Sequence, residues 1–407
     1  MVSQQIPIGT KQDNKSCRHF AQRMAKTPKS FIREILKVTE NPSIISFAGG
    51  LPNPDLIDVQ GISLAAATVL GQEGRTVLQY STTEGYLPLR QFIAERYGKR
   101  LGLSVSPDEI LITNGSQQCL DLIGKVFIDT GDHIAIERPG YLGAIQAFSL
   151  YEPVFHPVNL DKNGLDPVML ARELKAQLVK LFYGVPNSQN PSGITYTNER
   201  RRELASVFKN TETLFVEDDA YGELNFSGNT LSSLREFLPD QTIITGSFSK
   251  ILAPGMRLGW VVASPDIMEK LVIAKQASDL HSNYLSQRIA YQYLQQQNID
   301  DHIRKICRMY KTQCNLMIDL IREKFPESVD YTVPEGGMFI WLTLPEGISS
   351  TRVFEQALNA GVAVLPGTPF YTDGGGEDTI RLNFSNSTEQ KIITGMERFS
   401  HVLCNLM

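Results

Sequence analysis

The chain has 407 residues, which is enough for two to three domains at roughly 150 residues per domain. Hydrophobic residues make up 42% and charged residues 20%, so a large core can be buried and a mainly disordered chain is excluded. The net charge of −5, and the lack of an apolar run of about 18 residues, argue against a nucleic-acid binder and a membrane-spanning protein.

The N-terminus and the cysteines indicate the cellular compartment. The N-terminus has no basic segment followed by an apolar one, so no secretory signal is predicted. The cysteines form no CxxC pair and no Cys/His cluster; they are Cys17, Cys119, Cys307, Cys314 and Cys404. We therefore predict free thiols, no metal site and a cytoplasmic protein.

The first two thirds of the chain predict an α/β fold. A short helix is expected from Ser30 to Thr39, and a Gly/Pro-rich loop follows from Ile44 to Pro54. Short apolar segments then alternate with helical ones such as Ser116–Phe127 and Asn198–Phe208. The predicted strands are Ile110–Thr113, His133–Ile136, Val179–Tyr183, Thr213–Glu217, Thr242–Thr245 and Gly259–Val262. This alternation predicts a mostly parallel sheet covered by helices, with ligands beyond the carboxyl ends of the strands.

The last third predicts a smaller α+β unit. Helical sequence continues to Phe325, and shorter elements follow. They are expected as strands over Gly337–Leu342, Val362–Leu365 and Thr379–Phe384 and helices over Ser350–Ala360 and Ser387–Leu403. The glycine run Gly374–Gly376 is interpreted as a turn rather than a phosphate-binding loop, because a strand follows it and no helix does.

The segment Gly246–Gly259 is the most informative for chemistry. Ser247 and Ser249 alternate at the end of an apolar strand, Lys250 follows directly, and Arg257 lies in a Pro/Gly turn. A desolvated lysine near other positive charge can form a Schiff base. The arginine and the hydroxyl groups can bind a phosphate dianion through charge-assisted hydrogen bonds.

Three further segments place polar residues after predicted strands. They are Thr113–Gln118, Pro186–Gly193 and Val216–Tyr221. The first segment is a strand followed by a helix N-terminus, which suits a phosphate. The second segment, taken by itself, indicates only a polar turn. The acidic residues of the third suit a metal site, a solvated loop or a partner for a protonated pyridine nitrogen. Asp219 is expected to face solvent or a backbone amide.

Together these segments resemble fold-type I pyridoxal-phosphate enzymes, the aspartate-aminotransferase superfamily. The resemblance spans about residues 30 to 400 and is closer to the 2-aminoadipate and kynurenine/aminoadipate aminotransferases. It also rests on Ser46–Pro52, Leu78–Gly85 and Pro334–Phe339. The resemblance implies a large domain at residues 46–305 and a small domain at residues 306–407. Residues 1–45 would form an N-terminal arm and helix that belong to the small domain and cover the substrate.

The resemblance implies roles for residues around the cofactor ring. Lys250 would form the Schiff base with pyridoxal 5'-phosphate and move the substrate proton. Asp218 would pair with the ring nitrogen, Tyr221 and Asn190 would bond the ring hydroxyl oxygen, and Tyr141 would stack on the ring.

The resemblance also implies how the phosphate is held. Its ligands would be Ser116, Gln117, Ser247, Ser249 and Arg257. Tyr80 would reach the phosphate of a second subunit, which implies a homodimer with shared active sites.

The substrate contacts follow from the same resemblance. Arg381 would bind the substrate α-carboxylate, with Asn190 and Gly50 beside it. Arg33 stands where relatives place a contact for the distal carboxylate of an acidic substrate.

The resulting expectation is an aminotransferase for 2-aminoadipate, branched-chain or aromatic amino acids, with 2-oxoglutarate as acceptor. One alternative is a fold-type I enzyme of other chemistry, such as a β-lyase or a decarboxylating synthase. A second is an effector-sensing module of the kind fused to winged-helix regulators. Only about 45 residues precede the Gly49–Gly50 loop, which is too few for such a DNA-binding domain and its linker.

Overall fold

The computed structural model describes residues 20–26, 41 and 43–407. Within these residues three β-sheets form, of eight, four and two strands. The strands are β1 (Ile45–Ser46), β2 (Ile110–Thr113), β3 (His133–Arg138), β4 (Val154–Asp161), β5 (Gly164–Leu165), β6 (Val179–Gly184), β7 (Leu214–Asp218), β8 (Thr242–Ser247), β9 (Gly259–Val262), β10 (Asp330–Tyr331), β11 (Phe339–Thr343), β12 (Val362–Ala363), β13 (Leu365–Pro366) and β14 (Thr379–Asn383).

The helices of the described residues surround these sheets. They are α1 (Gln22–Lys26), α2 (Val59–Val77), α3 (Leu87–Leu101), α4 (Ser116–Phe127), α5 (Leu142–Ser149), α6 (Pro167–Ala176), α7 (Asn198–Phe208), α8 (Pro265–Asp279), α9 (Tyr284–Gln296), α10 (Ile299–Lys324), α11 (Ser350–Asn359) and α12 (Glu389–Leu406). None of them combines the length and the apolar character needed to cross a membrane.

The eight-stranded sheet confirms the predicted α/β class. Its strand order is β2-β9-β8-β7-β6-β3-β4-β5, and the pairs from β8 through β4 are parallel. The strands β2, β7 and β8 are almost wholly buried, as expected for strands covered on both faces. Among the described strands of this sheet, β9 and the terminal β5 run antiparallel to their neighbours.

The direction of β9 determines where the predicted site residues meet. Both β2 and β8 pair antiparallel with β9, so β2 and β8 run the same way with β9 between them. The carboxyl ends of β2, β8, β7, β6 and β3 therefore lie at one edge of the sheet, and β9 begins at that edge. Every motif that follows a strand is brought to this edge.

The smaller sheet has the order β10-β11-β14-β13, and all of its pairs are antiparallel. The helices α10 and α12 make many contacts with each other, while β1 pairs with β12. The N-terminal loop before Gly50 is thus joined to the C-terminal unit. The assignment of residues 1–45 to the small domain, and the domain boundaries, stay predictions.

Several predicted elements agree with the structure to within one or two residues. The strand expected over Val362–Leu365 is divided into β12 and β13, which belong to different sheets. The sequence pattern did not predict α2 and α3. The helix predicted over Ser30–Thr39 lies outside the described residues.

Candidate active site

The Lys250 side chain lies just beyond the end of β8. Its Nζ donates a hydrogen bond to the carbonyl oxygen of Gly50 at 2.9 Å. Burial, with additional repulsion from the Arg381 and Arg257 guanidinium groups, lowers the pKa of Lys250 to about 8, although Asp218 opposes this shift. About a tenth of the amine is therefore neutral and nucleophilic at pH 7, far more than for an exposed lysine.

Asp218 is the last residue of β7 and is only 2% exposed. Its carboxylate accepts hydrogen bonds from the Tyr183 hydroxyl at 2.7 Å and from the Ala220 backbone N–H at 3.3 Å. Burial raises the pKa of Asp218 to about 6, and these two donors limit the rise. The group is thus a buried carboxylate that is mostly ionised at pH 7.

A hydrogen-bonded chain joins Tyr221, Asn190 and Arg381. The Asn190 side chain donates to the Tyr221 hydroxyl at 3.2 Å and accepts from an Arg381 terminal nitrogen at 2.8 Å. The other terminal nitrogen donates to the Ala48 carbonyl oxygen at 2.7 Å. This series of hydrogen bonds links the residues after β7, in the eight-stranded sheet, to β14 in the four-stranded sheet.

The Arg381 guanidinium is buried between aromatic rings. Its central carbon lies 4.2 Å from the centroid of the Phe339 ring and 5.3 Å from that of Phe370. Burial lowers the pKa of Arg381 to about 10, so the group is charged at pH 7. Its Nε has no hydrogen-bond partner among the described residues. A buried cation with an unused donor is suited to a carboxylate ligand.

The start of α4 and the turn after β8 form a cradle. Gly115 precedes α4 with a φ of +76°, and a Cβ at this position would lie 2.6 Å from a terminal nitrogen of Arg257. A Cβ at Gly259 would lie 2.6 Å from the backbone nitrogen of Ser116. The two glycines therefore allow a guanidinium and a helix N-terminus to approach one another, which is a favourable arrangement for an anion.

Arg257 retains donors for a ligand in this cradle. It is in the left-handed conformation, with a φ of +50°, and its contacts with the carbonyl oxygens of Asn114 and Pro254 are long, at 3.3 and 3.4 Å. Nearby, the Ser249 backbone N–H donates to the Ser247 hydroxyl at 3.1 Å, and that hydroxyl is 3.4 Å from the Leu258 carbonyl oxygen. These weak contacts can be exchanged for contacts with an anion.

The remaining predicted site residues differ in how far they are buried and in what they contact. Tyr141 directly precedes α5, and burial raises the pKa of its hydroxyl to about 12. Gln117 is exposed and donates to the Gly143 carbonyl oxygen at 2.9 Å. Tyr80 is 79% exposed, and its ring stands edge-on to the His281 ring at 5.8 Å. Arg33 lies outside the described residues.

The comparison with family models decides the class of protein. The model of aminotransferase class I and II matches residues 55–399. This chain belongs to the aminotransferase class I and II family. Aromatic-amino-acid aminotransferase 1 of Thermococcus litoralis is 41% identical to it, over 95% of this chain and 94% of the relative.

Solved structures of aminotransferases share the fold. The α-aminoadipate aminotransferase LysN of Thermus thermophilus, complexed with N-(5'-phosphopyridoxyl)-L-leucine, superposes with a TM-score of 0.90 and 40% identity, covering 95% of this chain and 97% of that one. The kynurenine aminotransferase of Pyrococcus horikoshii gives a TM-score of 0.91 at 41% identity, with the same two coverages. This aminotransferase is therefore a fold-type I enzyme that uses pyridoxal 5'-phosphate.

The residues at the sheet edge fit this cofactor. The glycine-opened cradle beside Arg257 suits its phosphate, and the buried carboxylate of Asp218 suits a ring nitrogen that carries a proton. The partly neutral amine of Lys250 suits its aldehyde. Within residues 20–26, 41 and 43–407, no group of three His, Cys, Asp or Glu side chains is placed to bind a metal ion.

Asp219 is placed differently from the expectation. It is only 9% exposed, forms an ion pair with Arg100, and accepts a hydrogen bond from Asn187 at 2.7 Å. The expectation that Asp219 faces solvent or a backbone amide is wrong, because α3 brings the Arg100 cation to this position and a side-chain amide supplies the other hydrogen bond. The sequence carries no signal of Tyr183 as the partner of Asp218, because this tyrosine lies within an apolar strand three residues before the Pro186–Gly193 turn.

Proposed function

We propose that this aminotransferase exchanges amino groups between glutamate and a second, larger L-amino acid, with 2-oxoglutarate as the matching oxo acid. The second substrate would be 2-aminoadipate, a branched-chain amino acid or an aromatic amino acid. The buried Arg381, whose Nε is without a partner among the described residues, carries the proposal because it offers a charged donor to the carboxylate that all of these substrates share. The activities named for the three similar aminotransferases support the range of side chains.

We infer that the residues around Lys250 carry out the proton transfer. Bound pyridoxal phosphate supplies an electron-accepting ring that stabilises negative charge at the substrate Cα. Lys250 Nζ in its neutral form accepts the Cα proton, and the positive charges of Arg381 and Arg257 keep that neutral form accessible. Asp218 would hold the cofactor's ring nitrogen in its protonated form.

The other contacts in the proposal position the reactants. Tyr221 and Asn190 would bond the ring hydroxyl oxygen, and Tyr141 would lie against the ring. The phosphate would be bound by Ser116, Gln117, Ser247, Ser249 and Arg257. Gly50 would lie beside the substrate, where its carbonyl oxygen already accepts from Lys250.

A panel of amino donors and oxo-acid acceptors tests the proposed function. We expect glutamate, 2-aminoadipate, leucine and phenylalanine to convert the enzyme between its two cofactor absorbance forms, and 2-oxoglutarate to reverse the conversion. Release of ammonia without any oxo acid would identify a β-lyase instead, and carbon dioxide release would identify a decarboxylating enzyme.

The assembly is proposed to be a homodimer with shared active sites. The exposed Tyr80 is free to extend to a second subunit, where it would contact the cofactor phosphate. We expect light scattering to give about twice the 45.4 kDa chain mass. An active monomer would contradict the dimer, whereas a dimer in which Tyr80→Phe binds the cofactor unchanged would contradict only the role of Tyr80.

A second prediction concerns Arg33 and acidic substrates. Arg33→Ala is expected to raise KM for 2-oxoglutarate and 2-oxoadipate about tenfold, because a charge-assisted pair contributes roughly 1.5–3 kcal/mol. The rates of the half-reactions with leucine or phenylalanine as the amino donor should be nearly unaffected. Equal losses for acidic and apolar substrates would show that Arg33 does not contact the distal carboxylate.

The cytoplasm is proposed as the location. Cys119, Cys307, Cys314 and Cys404 are all free thiols in the structure, as expected in a reducing compartment.

A further inference from the structure

Arg138, the last residue of β3, makes several contacts with one loop of the smaller unit. Its Nε lies 3.1 and 3.0 Å from the two carboxylate oxygens of Asp373. A terminal nitrogen is 3.4 Å from the Gly374 carbonyl oxygen. The guanidinium carbon lies 4.8 Å from the centroid of the Tyr371 ring, within the range of a cation–π contact.

The glycine run after Asp373 allows this approach. Gly374, Gly375 and Gly376 have φ values of +82°, +101° and +68°, which disfavour other residues. A Cβ at Gly375 would lie 3.2 Å from an Arg138 nitrogen, and a Cβ at Gly376 would lie 2.1 Å from the Tyr371 ring. The turn predicted from sequence therefore also folds residues 371–376 against the end of β3.

The two segments joined by Arg138 both lead into the candidate active site. Two residues beyond Arg138, the Gly140 backbone N–H donates to the Phe370 carbonyl oxygen at 2.8 Å, and Tyr141 follows. The Phe370 ring packs against the Arg381 guanidinium and stands edge-on to Trp341. The position of Phe370 is thus fixed on one side by the smaller sheet and on the other by the end of β3.

We propose that Arg138 is a positioning residue for substrate binding, which acts by holding the 368–376 loop, and with it Phe370, against the guanidinium of Arg381. The inference rests on the proposed role of Arg381 in binding the substrate carboxylate. When the contact with Asp373 is lost, Phe370 is less restrained and the site for the carboxylate is formed for a smaller fraction of the time. Substrate affinity therefore falls, whereas the residues that move the proton are unchanged.

The ion pair between Arg138 and Asp373 is accessible to dissolved ions and can be screened by them. Their side chains are 31% and 41% exposed, so ions reach both of them. The Debye length shortens from about 10 Å at 0.1 M to about 3 Å at 1 M salt, and exposed pairs weaken accordingly. Substrate affinity in this enzyme should consequently have a salt-dependent component that belongs to the Arg138 contact and not to the substrate itself.

The test measures kcat and KM of the holoenzyme for glutamate and for 2-oxoglutarate at low and high NaCl. Arg138→Gln and Asp373→Asn should each raise both KM values about two- to fivefold at low salt, with kcat unchanged within error. The double variant should be no worse than Arg138→Gln alone, because Asp373→Asn removes a contact that Arg138→Gln has already removed. Arg138→Lys should recover part of the loss.

Two controls separate this role from a general structural one. Asp161→Asn removes a partner of Arg200 in another arginine–aspartate pair, whose hydrogen bonds do not involve the 368–376 loop, and should leave KM and its salt dependence as in the wild type. Hydrogen exchange should be faster in residues 368–376 of the Arg138 variant at an unchanged melting temperature. Salt also weakens the contact between substrate and Arg381, so the diagnostic quantity is the smaller salt effect in the double variant.

Several results would overturn the proposal. These are unchanged KM values in both single variants, a fall in kcat at constant KM, or additive losses in the double variant. Failure of the wild type to transaminate any donor would instead contradict the proposed function, and the hydrogen-exchange result would still report whether Arg138 holds the loop.

Discussion

Lys250→Ala is expected to abolish nearly all turnover, by roughly a thousandfold or more. Lys250 is the amine that the structure places beyond β8 with a pKa lowered to about 8, next to Tyr221 and within reach of the Gly50 carbonyl oxygen. The fold should tolerate the change, because a buried amine whose charged form is disfavoured does not stabilise the folded state. Steady-state kinetics and a thermal melt of the same preparation measure both effects.

Borohydride reduction of the wild-type holoenzyme, followed by peptide mapping, provides the independent check on Lys250. The label is expected on Lys250. The matched variant is Lys270→Ala, which removes an exposed lysine of α8 whose ion pair is with Glu269 and should keep full activity. A label on a different lysine would show that the assignment is wrong.

Asp218→Asn is expected to reduce kcat by roughly a hundredfold, which corresponds to about 3 kcal/mol. The replacement keeps the size of the side chain and an oxygen that can accept from the Tyr183 hydroxyl, so the geometry should be preserved. What it removes is the negative charge that would stabilise a protonated ring nitrogen. The measurement is kcat at saturating cofactor, together with the absorbance spectrum of the holoenzyme.

Asp219→Asn is the matched control, and the contacts of Asp219 indicate its expected effect on stability and on kcat. Asp219 pairs with Arg100 of α3, so its replacement should cost stability, up to about 3 kcal/mol, and have little effect on kcat. Asp218→Asn is therefore expected to lower kcat while preserving the fold, whereas Asp219→Asn is expected to lower the free energy of unfolding with little effect on kcat. Equal kcat values for the two variants would show that the wrong member of the pair had been assigned.

The sequence was sufficient to predict that several of the proposed site residues lie at the ends of strands, whereas their roles come from the family resemblance and stay predictions. Lys250 and Asp218 could be placed because each comes directly after an apolar segment, and the carboxyl ends of parallel strands share one edge. The same reasoning could not orient β9, whose four residues do not reveal an antiparallel direction. That direction is what brings Arg257 back to the start of α4.

Contacts that depend on distant segments could not be predicted. The pairing of Asp219 with Arg100, and of Arg138 with Asp373, joins residues that are far apart in the chain. Tyr183 lies inside a buried strand, where a tyrosine is ordinary core material until its hydroxyl is seen to contact Asp218. Helices α2 and α3 contain interior glycines, Gly61, Gly71 and Gly74 in the first and Gly98 in the second, which weaken the helical pattern of their sequences.

The cradle at the end of β8 is assembled from two segments that are far apart in the chain, Gly115–Ser116 and Ser247–Arg257. An anion bound there connects these segments in the folded state and has no comparable site in the unfolded chain. Cofactor binding and folding are therefore thermodynamically linked, with a gain of about 2.7 kcal/mol when free cofactor is about a hundredfold above its Kd. The supply of cofactor in the cell would then influence how long this enzyme persists, as well as how fast it works.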